Sequence, residues 1–298
     1  MENNNSINLT CDVCNNPKFI CKCETHSWLY FDKIISGGCQ GKTEDNVKWT
    51  SLNISTMTIC FNFNQIINLK LLKERLPSSL TVNYNPGSKK SKVPKKKGTD
   101  SFYNSFDIKI TIIDHENNKT SSNISIFIFP NGKAKAAGIK TINTINLLLD
   151  ELVEIVKYIP ESVESPDTLD IENMKIQMIC SDFKIKPVKE DSDGWCIKQE
   201  ELKNILVKQG LSATFSSLSR YPGINLKINS IIEPEKQISL LIFRSGSIII
   251  TGGKNAKDIS NCYNYIVKII KENAPILFYY DINEEIKQRK KSVKLRLK

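Results

Sequence analysis

The sequence has few of the residues that enzymes use for nucleophilic or metal-assisted catalysis. Its 298 residues include only two histidines, His26 and His115, and no HExxH or GxSxG motif. A catalytic triad or a zinc-protease centre needs histidine beside a nucleophile or a metal. The sequence therefore predicts a protein that is not an enzyme.

Long hydrophobic runs are also missing. No uninterrupted apolar stretch approaches the roughly 18 residues that span a bilayer, and the polar start MENNNSINLT does not read as a signal peptide. Hydrophobic residues make up 40% and charged residues 25% of the chain, as in globular proteins with buried cores. We expect no membrane partner. The nine cysteines are expected to be thiols or metal ligands rather than a disulfide framework.

Two segments lack acidic residues altogether. Residues 88–98 carry six lysines and residues 287–298 carry seven basic residues, although the net charge of the whole chain is only +10. The rest of the chain is therefore slightly acidic. A positive field concentrated in two segments favours a polyanionic partner, nucleic acid before a membrane. The alternative is that both segments are solvated, disordered loops.

The N-terminal segment, residues 1–48, holds five of the nine cysteines. Four of them are closely spaced, and His26 and Cys39 follow nearby. Four thiolates could hold a tetrahedral zinc ion, which would order a segment too small to form its own core. The alternative is free cysteines in a flexible tail, because the spacing differs from that of common zinc ribbons and fingers. The candidate zinc ligands are Cys11, Cys14, Cys21 and Cys23.

A run that ends in Gly41-Lys42-Thr43 resembles a phosphate-binding loop. That motif needs a glycine five positions before Gly41, where this chain has Ser36. The following residues EDNVKWT lack a good helix start, so no helix N-terminus is expected to face a phosphate. We do not expect NTPase activity.

An internal repeat organises most of the remaining chain. Residues 125–140 align without a gap on residues 239–254, at a constant offset of 114, with six identical positions. Each copy is followed by a predicted helix and preceded by another helix and an alternating strand that starts at an aromatic residue. The identical pairs are Ser125 and Ser239, Ile128 and Ile242, Phe129 and Phe243, Gly132 and Gly246, Gly138 and Gly252, and Lys140 and Lys254. The predicted helices are 67–76, 141–159, 198–209 and 256–272, and the strands start at Phe106 and Tyr221.

The repeated motifs resemble those of the TATA-box-binding protein family over roughly residues 50–280. Tyr84-Asn85-Pro86 matches that family's Tyr-Asn-Pro, and Tyr221-Pro222-Gly223-Ile224 resembles its Phe-Pro-Gly-Leu. Leu240-Leu241-Ile242-Phe243 and Thr251-Gly252-Gly253-Lys254 resemble its Leu-Leu-Ile-Phe and Thr-Gly-Ala-Lys. The resemblance implies an α+β fold: a pseudo-two-fold saddle of two repeats, with a curved antiparallel sheet and helices on its convex face. The expected segments are 49–160 for the first repeat, 174–281 for the second, and 282–298 for a basic tail.

Strand alternation predicts which strand side chains point away from the helices. Ile128 and Ile242 should point to the helices, because successive side chains of a strand point to opposite faces. Their neighbours Phe127, Phe129, Leu241 and Phe243 should then point to the open face. The alternative is that these aromatics only fill a core. The resemblance implies that Phe106 with Phe129, and Tyr221 with Phe243, are wedges that insert between base steps, with Phe102 competing for the place of Phe106.

The resemblance also implies the DNA contacts. Phosphate contacts would come from lysines at strand ends, and Asn53 would hydrogen-bond base edges. Lys135 and Ala137 depart from the family's valine and threonine, and Lys135 would add charge in the groove and favour A·T-rich tracts. The full predicted DNA-binding set is Asn53, Phe106, Phe127, Phe129, Lys133, Lys135, Lys140, Tyr221, Pro222, Lys227, Leu241, Phe243, Thr251 and Lys254.

These expectations define a transcription initiation factor. It would bind and bend A·T-rich duplex DNA through the minor groove, and contact other initiation factors and the RNA polymerase machinery. The alternatives are an interaction module that kept the fold and lost specific DNA binding, or a saddle repeat that serves another nucleic acid. The abundance of Asn, Ile and Lys points to an A·T-rich genome, such as that of a protist or a large DNA virus. The expected location is accordingly the nucleus, or a viral factory or virion.

Overall fold

The computed structural model describes residues 31–77, 83–84, 105–114, 120–188, 194–216 and 222–286. The chain forms two compact units, whose boundaries fall within two long strands. The central unit is residues 55–178. The terminal unit combines residues up to 54 with residues from 179 onwards. Within the described ranges, no helix has the length and hydropathy needed to cross a membrane.

The helices begin where capping residues and apolar periodicity coincide. Asn68, Thr141 and Asn255 each accept a hydrogen bond from the backbone N–H three residues later, which satisfies one of the free donors at a helix start. The helices are α1 (Phe31–Gly38), α2 (Leu69–Arg75), α3 (Ile142–Lys157), α4 (Gln199–Lys208), α5 (Ala256–Glu272) and α6 (Ala274–Leu277).

The strand pairs described below are all antiparallel. They are β1 (Lys42–Glu44), β2 (Val47–Trp49), β3 (Asn53–Phe63), β4 (Asn83–Tyr84), β5 (Phe106–Asp114), β6 (Thr120–Ile128), β7 (Lys133–Ile139), β8 (Ile171–Pro187), β9 (Trp195–Ile197), β10 (Ser212–Thr214), β11 (Gly223–Asn229), β12 (Gln237–Phe243), β13 (Ser247–Gly253) and β14 (Phe278–Tyr280).

The central unit is an antiparallel sheet with the order β3-β7-β6-β5-β4, and α3 packs against one face of it. The side chains that alternate toward α3 are buried, including Ile126 and Ile128 on β6 and Ile108 on β5. From the helix, Leu148 and Leu152 meet them with no exposed surface. One face of this sheet is therefore the core, as the period-2 pattern of each strand requires.

The terminal unit repeats the same element order on β10-β11-β12-β13-β8, with α5 packed against β13 and α4 against β10 and β11. Its N-terminal part adds the β1–β2 hairpin, which pairs with the end of β8, and α1, which contacts α5. The buried Tyr263 on α5 donates its hydroxyl to the carbonyl oxygens of Gln40 and Thr50. A two-stranded sheet of β9 and β14 brings the chain's later residues onto this unit.

Glycine is required at the turn that joins β6 to β7 and at the turn that joins β12 to β13. Gly132 precedes β7 and Gly246 precedes β13, and both have a φ of 78°. A side chain is strained in that conformation, and a Cβ would also strike the backbone oxygens of Phe63 and Gln65 in the first turn and of Ile185 in the second. The two aligned motifs of the sequence therefore adopt the same turn.

The predicted fold class is confirmed. Each unit is an antiparallel sheet with helices on one face, which is an α+β architecture. Predicted helix 256–272 has the bounds of α5. The other predicted helices begin and end within two residues of the observed ones. The lysine-rich segment 88–98, the basic tail 287–298 and the cysteines at 11–23 lie outside the described residues. The predicted segment boundaries stay predictions.

Candidate nucleic-acid interface

We call the sheet face opposite the helices the open face of each unit. On β6 and β12, Ile128 and Ile242 point to the helices and have no exposed surface. Phe127 and Leu241, one residue earlier in each strand, are half-buried on the open face. Phe129 and Phe243 are half-buried at the strand ends beside the two glycine turns. The directions predicted from strand alternation are therefore those in the structure.

Phe106 is the exception, and its predicted place on the open face is wrong. It has no exposed surface and pairs with the buried Ile128 on β6. In the terminal unit, Ile224 pairs with Ile242 in the same way, so Phe106 is the counterpart of Ile224 rather than of Tyr221. Phe106 is a core residue.

The same register identifies a better counterpart for Tyr221. Tyr221 precedes Ile224 by three residues, and the residue three before Phe106 is Tyr103. Both tyrosines lie outside the described residues, as does Phe102. The sequence alone missed Tyr103, because the lysine-rich insertion hides the alignment before β5. Cross-strand pairing is the signal that finds it.

The open face of the central unit carries a cluster of lysines. Lys133 is exposed at the start of β7, and Lys135 is half-buried between its cross-strand partners Cys60 on β3 and Phe127 on β6. Lys109 on β5 is exposed on the same face, opposite Ser125. Lys109 was missed from the sequence, although its terminal-unit counterpart Lys227 was found. Lys140 is exposed just after β7.

A groove of about 650 Å³ opens on this lysine cluster. It is bounded by Cys60, Phe129 and the turn that holds Pro130, together with Lys133 and Lys135. A half-buried aromatic ring beside two ammonium groups suits a ligand that has both flat apolar surfaces and negative charge. Stacked bases joined by phosphates have both.

Two lysines of the terminal unit have polar or charged partners within the protein. Lys227 donates to the Ser239 hydroxyl at 2.5 Å. The pKa of Glu233 is lowered by a hydrogen bond from Lys236 and, to a smaller extent, by the charges of Lys236 and the half-buried Lys254. Lys254 thus lies close to a carboxylate, so its charge is partly compensated within the protein.

Pro222 and Thr251 complete the predicted set on this unit. Pro222 is exposed just before β11, and its carbonyl accepts a hydrogen bond from Gln199 at the start of α4. Thr251 is half-buried on the open face of β13, between its cross-strand partners Cys180 and Ser239.

Asn53 is exposed in the terminal unit, and its amide donates to Asp182 Oδ1 at 3.0 Å. The predicted base-reading amide is thus held by a carboxylate on the open face of β8. Asp182 was missed from the sequence because only the strand register shows where it lies. In the central unit, the half-buried Asp107 is a second open-face carboxylate. Burial raises the pKa of Asp107, and a hydrogen bond from Ser105 opposes that rise.

The turns at Phe129 and Phe243 differ in their support. In the terminal unit Arg244, next to Phe243, donates to the Tyr279 hydroxyl at 2.7 Å and pairs with Asp281. Tyr279 and Asp281 both follow α6, so residues near the end of the described chain stabilise this turn. In the central unit, Pro130 and Asn131 occupy the corresponding positions and line the open groove.

The zinc hypothesis stays a prediction, and the nucleotide-loop motif does not have the structure of a phosphate loop. Over the ranges that the structure describes, no group of three or more potential metal ligands comes together, and the four candidate cysteines lie outside those ranges. Lys42 begins strand β1, so the GKT run leads into a strand and not into the helix that a phosphate loop needs.

Comparisons with known proteins point to one family. The family model described as transcription factor TFIID (or TATA-binding protein, TBP) matches residues 201–273. A TATA-box-binding protein-like protein of Acanthamoeba polyphaga mimivirus is 27% identical over 252 residues, which is 74% of this chain and 65% of that protein. The chain thus spans slightly less than two thirds of this relative.

Two further comparisons are a shorter sequence match and a solved structure. The TATA-box-binding protein of Pyrobaculum neutrophilum is 35% identical over 54 residues, which is 18% of this chain and 25% of that protein. Among solved structures, Methanococcus jannaschii TBP aligns with a TM-score of 0.46 at 18% identity, over 74% of this chain and 98% of that one.

Proposed function

We propose that this chain, a divergent TATA-box-binding-protein-like protein, binds A·T-rich duplex DNA through its open faces and bends it in transcription initiation. The observation that carries the proposal is the pair of half-buried rings, Phe129 and Phe243, at equivalent strand ends on open faces. The part of each ring that stays exposed on the face opposite the helices suits a ligand with flat apolar surfaces. Unstacked base steps would cover them, and the gain in contact would offset the cost of the kink.

Charge favours nucleic acid as that ligand. Lys109, Lys133 and Lys135 share the open face of the central unit, and the basic segments 88–98 and 287–298 would add to the field. Such contacts release counterions from the phosphate backbone, so affinity should fall steeply as salt rises. The helices on the opposite side, with exposed residues such as Val207 on α4, would be left for initiation factors.

Equilibrium binding tests the proposal. A fluorescent A·T-rich duplex and a G·C-rich duplex of equal length are titrated with the full chain at several salt concentrations. The variants are Phe129→Ala with Phe243→Ala, and the matched control Tyr158→Ala, which removes a ring that is 71% exposed at the end of α3. We expect preference for the A·T-rich duplex, loss of at least about tenfold in affinity for the double variant, and no change for the control.

One result would replace the proposal. If the wild-type chain binds neither duplex at low salt, the DNA-binding function is lost and the chain is an interaction module with this fold. The carboxylates Asp107 and Asp182 on the open faces favour that second function, because they repel phosphates.

A further inference from the structure

We propose that the two units read different edges in the minor groove: Lys135 selects A·T pairs, and Asp182 accepts a hydrogen bond from the exocyclic amine of a guanine. The inference rests on the proposed DNA binding and deepens it, because it names the base-pair chemistry that each unit would recognise. It predicts a binding site that is not A·T throughout.

The strand register makes the two residues comparable. Lys135 pairs with Cys60 on one side and Phe127 on the other. At the offset of 114, Ile249 replaces Lys135, and it pairs with Asp182 on one side and Leu241 on the other. The position that holds Cys60 in the central unit therefore holds Asp182 in the terminal unit.

The equivalent cross-strand pairs carry opposite charge. In the central unit the pair is Cys60 with Lys135, which has a cation. In the terminal unit it is Asp182 with Ile249, which has an anion. All four side chains are half-buried on an open face. The two faces therefore present different hydrogen-bonding groups at the same place in the repeat.

The minor groove distinguishes such groups. An A·T pair presents only acceptors there, whereas a G·C pair adds the N2 amine of guanine as a donor. The ammonium of Lys135 can only donate, so it matches A·T and is opposed by the guanine amine. An ionised carboxylate can only accept, so Asp182 is opposed by A·T acceptors and matches the guanine amine.

Asp182 is held in position for this role. Asn53 donates to its Oδ1 at 3.0 Å, which holds the carboxylate on the open face of β8. A carboxylate has about four acceptor sites, so it can accept hydrogen bonds from more than one donor at a time. A carboxylate buried against DNA without a donor would be costly, and this cost is what makes the residue selective.

The experiment varies the amine alone. In an A·T-rich duplex, each adenine is replaced in turn by 2,6-diaminopurine, which keeps pairing with thymine and adds the minor-groove amine. For each position, the affinity ratio of substituted to parent duplex is measured for the wild-type chain, Asp182→Ala and Lys135→Ala. The matched controls are Asp107→Ala and Lys109→Ala, which remove the same charges from other open-face positions.

Both aspartate variants should bind the parent duplex more tightly, because a negative charge is removed. In the wild-type chain, at least one position should tolerate or prefer the added amine. Asp182→Ala should lower the ratio at that position by about tenfold, and Asp107→Ala should not. Lys135→Ala, but not Lys109→Ala, should raise the ratio at a different position. Each ratio is taken within one variant, so a smaller folded fraction cannot imitate the effect.

Two outcomes overturn the inference, and they are distinguishable. If the amine weakens binding at every position by the same factor in the wild type and all variants, Asp182 and Lys135 do not read base edges, and the proposed DNA binding stands. If the wild-type chain binds no duplex, the proposed function fails and this inference fails with it.

Discussion

Gly132 and Gly246 hold the same φ of 78° at equivalent turns in two separate units. Each approaches a backbone oxygen of a neighbouring strand too closely for a side chain. The turn places Phe129 and Phe243 at the ends of their strands, so the backbone requirement of one residue fixes the position of a candidate DNA wedge in each unit.

We predict that alanine at either turn glycine destabilises the fold. Gly132→Ala and Gly246→Ala should each lower the free energy of unfolding by about 2–4 kcal/mol, since a positive φ and a backbone clash add together. Chemical denaturation measures the change. Gly210 also has a φ of 79°, but open space surrounds it. Gly210→Ala should therefore lower the free energy of unfolding by only about 1 kcal/mol.

A second control should change the free energy of unfolding in the opposite direction. Gly37 lies in α1 without a positive φ or a neighbouring atom within 4 Å. Gly37→Ala should therefore leave stability unchanged or raise it by up to about 1 kcal/mol. Equal losses for Gly37, Gly132 and Gly246 would show that the turn geometry is not what these positions require.

Tyr263 should anchor the N-terminal segment to α5. Tyr263→Phe removes the donor for the carbonyl oxygens of Gln40 and Thr50, at 3.1 and 2.9 Å, and should cost about 1–3 kcal/mol. Hydrogen exchange of the backbone around Gln40 should rise in step. Tyr158→Phe, at an exposed tyrosine, should change neither quantity, and an equal effect of both substitutions would contradict the assignment.

Alkaline pH should weaken the terminal unit through a buried thiol. Burial, assisted by the charge of Asp258, raises the pKa of Cys262 from 9.0 to about 12. Because the folded state holds this proton more tightly than the unfolded state, its stabilising effect is complete below the unfolded pKa and is lost as pH rises from about 9 toward 12.

The measurement is the free energy of unfolding from about pH 8 to about pH 11. The wild-type value should fall with pH, with Cys262 contributing up to about 1.4 kcal/mol per pH unit above pH 9. Cys262→Ala should show a constant loss from its cavity and a shallower slope. A slope that is identical in the variant would mean that another group, such as the buried Tyr263 hydroxyl, causes the whole dependence.

Phe106 should stabilise the core, and Tyr103 should take the wedge role that the resemblance gives to Phe106. Phe106→Ala should lower the free energy of unfolding by about 3–5 kcal/mol, because a ring with no exposed surface is removed from the core. Tyr103→Ala should leave stability nearly unchanged and weaken duplex binding. Denaturation and binding are measured on the same samples, and the opposite assignment is supported if only Phe106→Ala impairs DNA binding in fully folded protein.

Local patterns in the sequence predict the elements of this fold well. The spacing of apolar residues predicts α3 and α5, and period-2 alternation gives the correct direction of Phe127 and Leu241. These features depend on neighbours along the chain. That is why sequence reasoning reaches them.

The missed features depend on contacts distant in sequence. Phe106 is an aromatic residue at the start of an alternating strand, as a wedge would be, but it pairs with Ile128 and is buried. Nothing local in residues 31–52 reveals that they pack on α5 through Tyr263. Asp182 becomes a candidate only when its pairing with Ile249 is known. Strand register, which the sequence does not state, decides each of these cases.

DNA bending tests the central claim most directly. An A·T-rich duplex carrying a fluorescent donor and acceptor at its ends is titrated to saturation with the wild-type chain, with Phe129→Ala and Phe243→Ala combined, and with the control Tyr158→Ala. We predict that the wild type and the control shorten the end-to-end distance, while the double variant at saturation leaves the duplex straight. A saturated wild-type complex on straight DNA, or equal bending by the double variant, would contradict the claim that these two rings kink the duplex.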